Sequence, residues 1–347
     1  MRIKKWLVLL GLTVLVAGTA GLYYVYSLFF SPNTSFEEDT VFVYIPTGAD
    51  YDQVRDSLLE KVKHLENFDF VARRKGYAEN IKPGRYQLKK GMNNNEIVSA
   101  IRSQNLPIKL TFNNQERLEN LAGRIAQQIE ADSISLLAAM KNVSFLSEKG
   151  FSEETALTMY IPNTYEFYWN TSAATFTERM YKEYTAFWNE ERLQKAVNLR
   201  LTPIEVMSLA AIVQKETAMV SERKRVAGVY HNRMQRGMLL QADPTVIFAI
   251  KKNSGDFDQV IKRVLFSDLE IDSPYNTYKY TGIPPGPIAM PDISSIDAVL
   301  SPEKHDYLYF VADIDKPGYH VFAKTLAQHN ANAAKYHRWV AQQGYRR

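Results

Sequence analysis

The stretch Thr202-Pro-Ile-Glu205-Val-Met-Ser-Leu-Ala-Ala-Ile-Val-Gln-Lys-Glu216 decides how the second half of the chain is built. Its start is fully signalled. Thr202 suits the N-cap, Pro203 the first helical position, and Glu205 completes a capping box. Val206, Leu209, Ala210 and Val213 recur at i, i+3, i+4 and i+7, which predicts a helix with a buried face. At about 100° per residue, Glu216 returns close to the line of Leu209, flanked by Ile212 and Val213. A carboxylate there is costly unless it is paired or protonated. Desolvation that keeps it protonated near neutral pH makes it a general acid. Helices also often end on an acidic residue whose stem packs while its head reaches water, with Lys215 or Arg223 as partner. Periodicity leaves both readings open.

Around this helix lies a chain of 347 residues, enough for two domains with a sizeable core. Apolar residues make up 46%, a globular composition. The net charge of +4 is spread along the chain, with no basic block of the kind that binds nucleic acid. There is no cysteine, which excludes disulfides, a thiol nucleophile and thiolate metal sites. At the N-terminus, Arg2, Lys4 and Lys5 precede a stretch from Trp6 to Phe36 without a charged residue. Its apolar part, Trp6 to about Phe30, is long enough for a bilayer core of roughly 30 Å. Trp6 at one end and Tyr23, Tyr24 and Tyr26 at the other resemble interfacial belts, and the basic N-terminal side is expected to be cytoplasmic. A cleaved leader is the rival, since Ala17-Gly-Thr-Ala-Gly21 is small enough to be cut. The apolar run, however, continues through Tyr23–Phe30, beyond a usual leader core.

After a polar, proline-containing linker, Val41–Ile45 reads as a strand and Pro46–Asp50 as a turn. Asp52–Leu65 has helical spacing, Lys82–Leu88 is a turn into a strand, and Asn93–Ile101 is a short helix capped by asparagines. Farther on, Leu118–Ile129 and Ser133–Met140 look helical, Tyr160–Trp169 is an aromatic turn segment, and Phe176–Asn198 is one helix. The Thr202 helix follows, then another from a Ser221 cap to just before Gly237. Tyr307–Val311 and Tyr319–Phe322 read as paired strands, and Thr325–Gln342 as a final helix.

No sequence signature of a metal or nucleotide site is present. The six histidines are scattered without ligand spacing, and there is no phosphate-binding glycine loop or nucleophile elbow. What remains is a polar and aromatic set: Asn232-Arg233 on the next helix, Gln241, Asp243, Pro244 and Thr245 on the loop after it, then Asn276, Thr277 and Tyr278. Gly282-Ile-Pro-Pro-Gly286-Pro-Ile follows. Amides, hydroxyls and aromatic faces on rigid loops suit a sugar. The same residues are also ordinary turn formers over a core.

Val213-Gln-Lys-Glu216-Thr, Asn232-Arg233, Leu240-Gln-Ala-Asp243-Pro-Thr245-Val, Ser273-Pro-Tyr-Asn276-Thr277-Tyr278, the Gly282–Ile288 run and Tyr307–Val311 together resemble the endolytic murein transglycosylase (YceG-like) family. The resemblance covers nearly everything after the anchor and is strongest from about Leu201 to Asn330. It implies an α+β protein: a cytoplasmic stub at 1–5, a transmembrane helix at 6–30, a linker at 31–40, a small LysM-like α+β module at 41–107 and a larger mixed α+β catalytic domain at 108–347. It implies that Glu216 is the catalytic acid/base, with Gln241, Asp243, Thr245, Asn276, Thr277 and Tyr278 shaping the substrate cleft. No cofactor and no metal are expected. The implied partners are peptidoglycan glycan strands, the inner membrane through the N-terminal helix, and cell-wall synthases. In one departure, Asn163 stands where the family commonly carries an aspartate, so that segment supplies no carboxylate.

The chemistry the resemblance implies is non-hydrolytic cleavage of the MurNAc–GlcNAc β-1,4 bond to a 1,6-anhydro end. The substrate brings its own nucleophile, so one carboxyl group suffices. Two alternatives stay open: a hydrolase pairing Glu216 with Asp243, and a wall-binding scaffold without catalysis.

Overall fold

The N-terminal helix α1 (Arg2–Phe30) is long and apolar enough to cross a membrane. The computed structural model describes residues 2–342. Met1 of the expected cytoplasmic stub and residues 343–347 of the expected catalytic region lie outside them. The chain divides into two units, one of residues 1–110, 128–131 and 165–172, the other of 111–127, 132–164 and 173–347.

In the first unit α1 is followed by β1 (Thr40–Ile45), α2 (Tyr51–Leu58), α3 (Leu65–Arg74), β2 (Gly84–Lys89) and α4 (Asn94–Ser103). β1 and β2 pair antiparallel, with Val43 opposite Tyr86 and Ile45 opposite Gly84. Alternation along both strands sends Val43, Ile45, Tyr86 and Leu88 into one core with Leu58, Phe68, Val71, Ile97 and Ile101. Two expectations change here. The helix read over Asp52–Leu65 stops at Leu58, because Val62 is drawn into a bridge with Thr34 and His64 starts α3. The segment read as a linker runs pinned along the unit. Asn33 is buried, donates to His64 O at 3.0 Å and Asn94 Oδ1 at 2.7 Å, and accepts from His64 N at 2.9 Å.

Next come β3 (Pro107–Phe112), α5 (Leu118–Ala126), α6 (Ser133–Met140), α7 (Val143–Glu148), β4 (Asn163–Tyr168), α8 (Ala173–Phe187) and α9 (Glu190–Asn198). The run closes with α10 (Pro203–Glu216), α11 (Arg223–Gln235), α12 (Asp243–Ser254), α13 (Ile293–Leu300), β5 (Tyr309–Ala312), β6 (His320–Ala323) and α14 (Leu326–Gln342). The chain passes between the units within β3 and β4, which pair with each other. β5 and β6 pair antiparallel as expected, Phe310 facing Phe322.

The second unit is built around α10. Every residue from Val206 to Val213 is buried, so the helix is enclosed on all sides and not merely along the one face the periodicity indicates. Its neighbours α11, α12 and α13 supply Val226, Ala227, Tyr230, Ala249, Ile296 and Val299. Within the segment 160–169, read as an aromatic turn, residues 163–168 form the strand β4. Tyr165 and Phe167 point inward at period two, and the pairing with β3 supplies the ladder. The helix expected over 176–198 breaks in two, because Asn189 accepts the Arg192 N–H at 3.0 Å and caps α9. α11 starts at Arg223, after a short 3₁₀ turn containing Ser221, so Ser221 is not its cap.

Candidate active site

Glu216 is the last residue of α10, whose start is locked by the capping box read from the sequence. Thr202 Oγ1 accepts the Glu205 N–H at 3.2 Å, and Glu205 Oε2 accepts the Thr202 N–H at 2.7 Å. The far end of a helix is where the backbone dipole disfavours an anion. Glu216 is partly covered, and Tyr230 from α11, itself buried, donates its hydroxyl to Glu216 Oε1 at 2.8 Å. Burial pushes the Glu216 carboxyl up to about 7 from 4.5, and the charge of Asp243 pushes the same way. The Tyr230 hydrogen bond and the Arg233 charge oppose them. Burial first, then the Glu216 charge, drives the Tyr230 phenol well above its ordinary value, so it stays a donor. The result is a carboxyl group whose proton affinity is raised to about 7, with Oε1 engaged by Tyr230.

Arg233 fastens the wall beside it. It is buried and donates through Nε to Leu308 O at 2.6 Å and through Nη1 to Leu240 O at 2.8 Å, Leu239 O at 3.2 Å and Gln241 Oε1 at 3.3 Å. Its guanidinium also lies over the Tyr309 ring, 5.2 Å from the centroid. One side chain thereby ties the turn before α12 to the start of β5. Gln241 sits in the left-handed region at φ +50°, an uncommon conformation for a non-glycine residue. Its N–H reaches Thr277 O at 3.0 Å.

The sequence-predicted site residues converge on this turn but in two different ways. Gln241 and Asp243 are exposed, and Tyr278 is partly exposed and donates to Asp243 Oδ1 at 2.5 Å. Thr245, Asn276 and Thr277 are buried, with their polar atoms spent inside the protein. Thr245 Oγ1 meets Ala242 O at 2.7 Å and Thr277 Oγ1 at 2.8 Å, and Ala242 N donates to Thr277 Oγ1 at 3.0 Å. Asn276 Nδ2 donates to Leu269 O at 2.8 Å and Ile271 O at 2.9 Å, while its Oδ1 accepts the Tyr278 N–H at 3.0 Å. Asp243 and Thr245 are not loop residues as expected but form the first turn of α12, where Pro244 suits the missing N–H.

Sequence reasoning missed Tyr230, although it lies one turn beyond Val226 on the buried face of α11. It also missed a trio just after Glu216, buried Thr217 and Glu222 with half-buried His320. Thr217 Oγ1 donates to Glu222 Oε2 at 3.2 Å, and the same carboxylate is met by His320 Nδ1 at 2.8 Å and, through Oε1, by the His320 N–H at 2.9 Å. These contacts fix the chain just after the carboxyl group onto β6. Glu222 looked in the sequence like one charge in a polar run. Among the described residues, no group of three or more histidine, aspartate or glutamate side chains is placed to hold a metal.

Residues 43–335 match the sequence pattern of the YceG-like family. A Bacillus subtilis (strain 168) protein named endolytic murein transglycosylase is 31% identical over 317 residues, which is 86% of this chain and 85% of that protein. A Streptococcus pneumoniae (serotype 2, strain D39) protein of the same name is 28% identical over 331 residues; the match covers 85% of this chain and 58% of that longer relative. Among solved structures, a crystal structure of a yceG-like protein from Listeria monocytogenes superposes with a TM-score of 0.56 at 30% identity, covering 85% of this chain and 99% of its own.

Proposed function

The chain belongs to the YceG-like family, and from that premise we propose that it is a membrane-anchored lytic transglycosylase of peptidoglycan with Glu216 as its acid/base. The observation that carries the reading is the partly covered Glu216 carboxyl, held near pH 7 and hydrogen-bonded by Tyr230. The names of the bacillary and pneumococcal relatives support the substrate.

In the proposed reaction, Glu216 gives its proton to the glycosidic oxygen between MurNAc and GlcNAc as the C1–O bond breaks. The MurNAc C6 hydroxyl closes on C1, and its proton returns to the Glu216 carboxylate. The product carries a 1,6-anhydro ring, no water is consumed, and the enzyme ends in its starting state. The Tyr230 hydroxyl and the Arg233 charge stabilise the carboxylate in mid-reaction, where the charge exists only transiently. Gln241, Asp243 and Tyr278 are exposed or partly exposed and are assigned to the glycan; buried Thr245, Asn276 and Thr277 are assigned to holding those three in place. In the same reading α1 is the membrane span with its N-terminus cytoplasmic, residues 41–107 are the LysM-like module that grips glycan, residues 108–347 carry out the cleavage, and cell-wall synthases supply the strands. The small α+β build of the first unit supports the module assignment.

A second reading rests on one observation: the Asp243 charge acts directly on Glu216 and is exposed to incoming solvent. Such a pair could instead hydrolyse the bond. Incubating the purified chain with peptidoglycan and weighing the released muropeptides separates the two, because the anhydro product is lighter by one water. Release of no fragments by the wild-type chain, or undiminished release by Glu216→Gln, would refute the enzymatic assignment of Glu216.

A further inference from the structure

We infer that the first unit rests on the membrane itself, through a basic platform at the C-terminal ends of α3 and α4 that fits anionic phospholipid headgroups; this rests on the reading of α1 as a membrane span. The span does not end in a flexible tether. Leu28 is buried in the core of the unit, Asn94 Nδ2 donates to Leu28 O at 2.8 Å, and Asn33 is bonded to both Asn94 and His64. The last turn of α1 is thus part of the folded unit.

The direction of α3 then matters. It begins at the His64 cap, which is bonded to Asn33, three residues past the end of α1. Midway along α3, the Phe70 ring meets the Phe29 ring edge-on at 6.3 Å. The helix therefore heads back towards the span with its C-terminal end leading. Arg74 lies four residues beyond Phe70, about 6 Å farther along the axis of α3. Counting about 20 residues of hydrocarbon from Leu7 puts the boundary of the bilayer core near Tyr26, inside the Tyr23, Tyr24 and Tyr26 belt. Three arginines lie at these helix ends, Arg73 over the Tyr51 ring at 4.9 Å, while the half-buried Lys75 ammonium is spent on Asn95 and Ser99. Arg73 and Arg74 are exposed, Arg74 lies 5.9 Å over the Phe70 ring, and Arg102 at the end of α4 donates to Lys75 O at 3.5 Å. No ion pair engages Arg73, Arg74, Lys75 or Arg102 among the described residues, and Glu79 beside Gly76 offsets only one of them. Phe70 is 38% exposed, an aromatic side chain between the cations and the span. Aromatic residues beside unpaired basic ones are what an anionic lipid surface retains.

The chain has no cysteine, so a single introduced one takes a nitroxide label at one defined place. The full-length protein carries the label at Phe70→Cys, at Leu59→Cys beside the Ser35–Lys61 contact beyond the end of α1, or at Val16→Cys within the span. It is reconstituted in phosphatidylcholine vesicles and in mixed phosphatidylcholine–phosphatidylglycerol vesicles. Accessibility to dissolved oxygen and to an aqueous nickel complex is read at each site. The expected result is a label at 70 that sits at headgroup depth in mixed vesicles, while the label at 59 stays aqueous. Replacing Arg73, Arg74 and Arg102 together by glutamine should weaken the docking equilibrium constant roughly a hundredfold and return the label at 70 to water. An unchanged spectrum at 59 reports that the unit remains folded in that variant. Equal aqueous exposure at 70 and 59 with the label at 16 in hydrocarbon overturns the docking, as does a label at 70 that stays embedded after the arginines are removed. Aqueous exposure at 16 instead overturns the anchor reading on which the inference rests.

Discussion

Replacing Glu216 by glutamine should make the protein more stable, and chiefly at and above neutral pH, where the wild-type carboxyl group gives up its proton. The folded state binds the Glu216 proton more tightly than the unfolded chain does, with a value of about 7 against 4.5. Each tenfold difference in proton affinity is worth about 1.4 kcal/mol. The sign follows from linkage: below 4.5 the group is neutral in both states and costs nothing. As pH rises towards 7 the unfolded chain ionises while the folded one does not, so stability falls, and above 7 the full loss of up to about 3 kcal/mol is in place. Solvent reaching part of the side chain trims that figure. Glutamine keeps the shape and can still accept from Tyr230, but it cannot ionise. The denaturant midpoint of the full chain in detergent, followed at pH 5 and pH 8, should therefore separate variant and wild type widely at pH 8 and little at pH 5. A difference equal at both pH values, or a wild type more stable than the variant at pH 8, would show that Glu216 is not held protonated by its surroundings.

If protonated Glu216 is the acid, glycan cleavage should decline as pH rises through about 7, which a pH–rate profile on soluble glycan strands reads directly. Tyr230→Phe removes the hydrogen bond that lowers the Glu216 value, so the alkaline limb should move upward and the rate should fall roughly tenfold to a hundredfold; an unmoved limb counts against the assigned contact. Asp243→Asn should move the limb downward while leaving anhydro product, whereas loss of all product would favour the hydrolytic pairing. Arg233→Ala leaves the carbonyls of Leu240 and Leu308 without their donor, and a loss of about 2–4 kcal/mol in unfolding free energy is expected. Gly286→Ala would place a Cβ 2.1 Å from Glu154 O, so thermal melting should fall well below that of wild type.

Local chemistry was readable wherever it is written in neighbouring residues. The Thr202–Glu205 capping box, the β1 and β2 strands, the β5–β6 hairpin and the long apolar α1 all follow from short-range pattern, because caps and period-two alternation act within a few residues. Local reading failed where a distant partner overrides propensity. Thr34 draws Val62 out of a helix, β3 draws Tyr165 and Phe167 into a strand, and Asn189 caps a helix that periodicity would run straight through. Glu216 shows the boundary most sharply. Its position at the end of an apolar helix was legible, and so was the choice it posed between a paired structural carboxylate and a neutral acid. Nothing near it in sequence could decide between them, because its proton affinity is set first by burial in the packed unit and then by the opposing effects of Tyr230 and Arg233 on α11 and Asp243 on α12. Electrostatic energy depends on distance through a low-dielectric interior, and that distance exists only once α10, α11 and α12 are packed together. The sequence by itself determined which residue carries the carboxyl group; the tertiary structure decided that this carboxyl group keeps its proton.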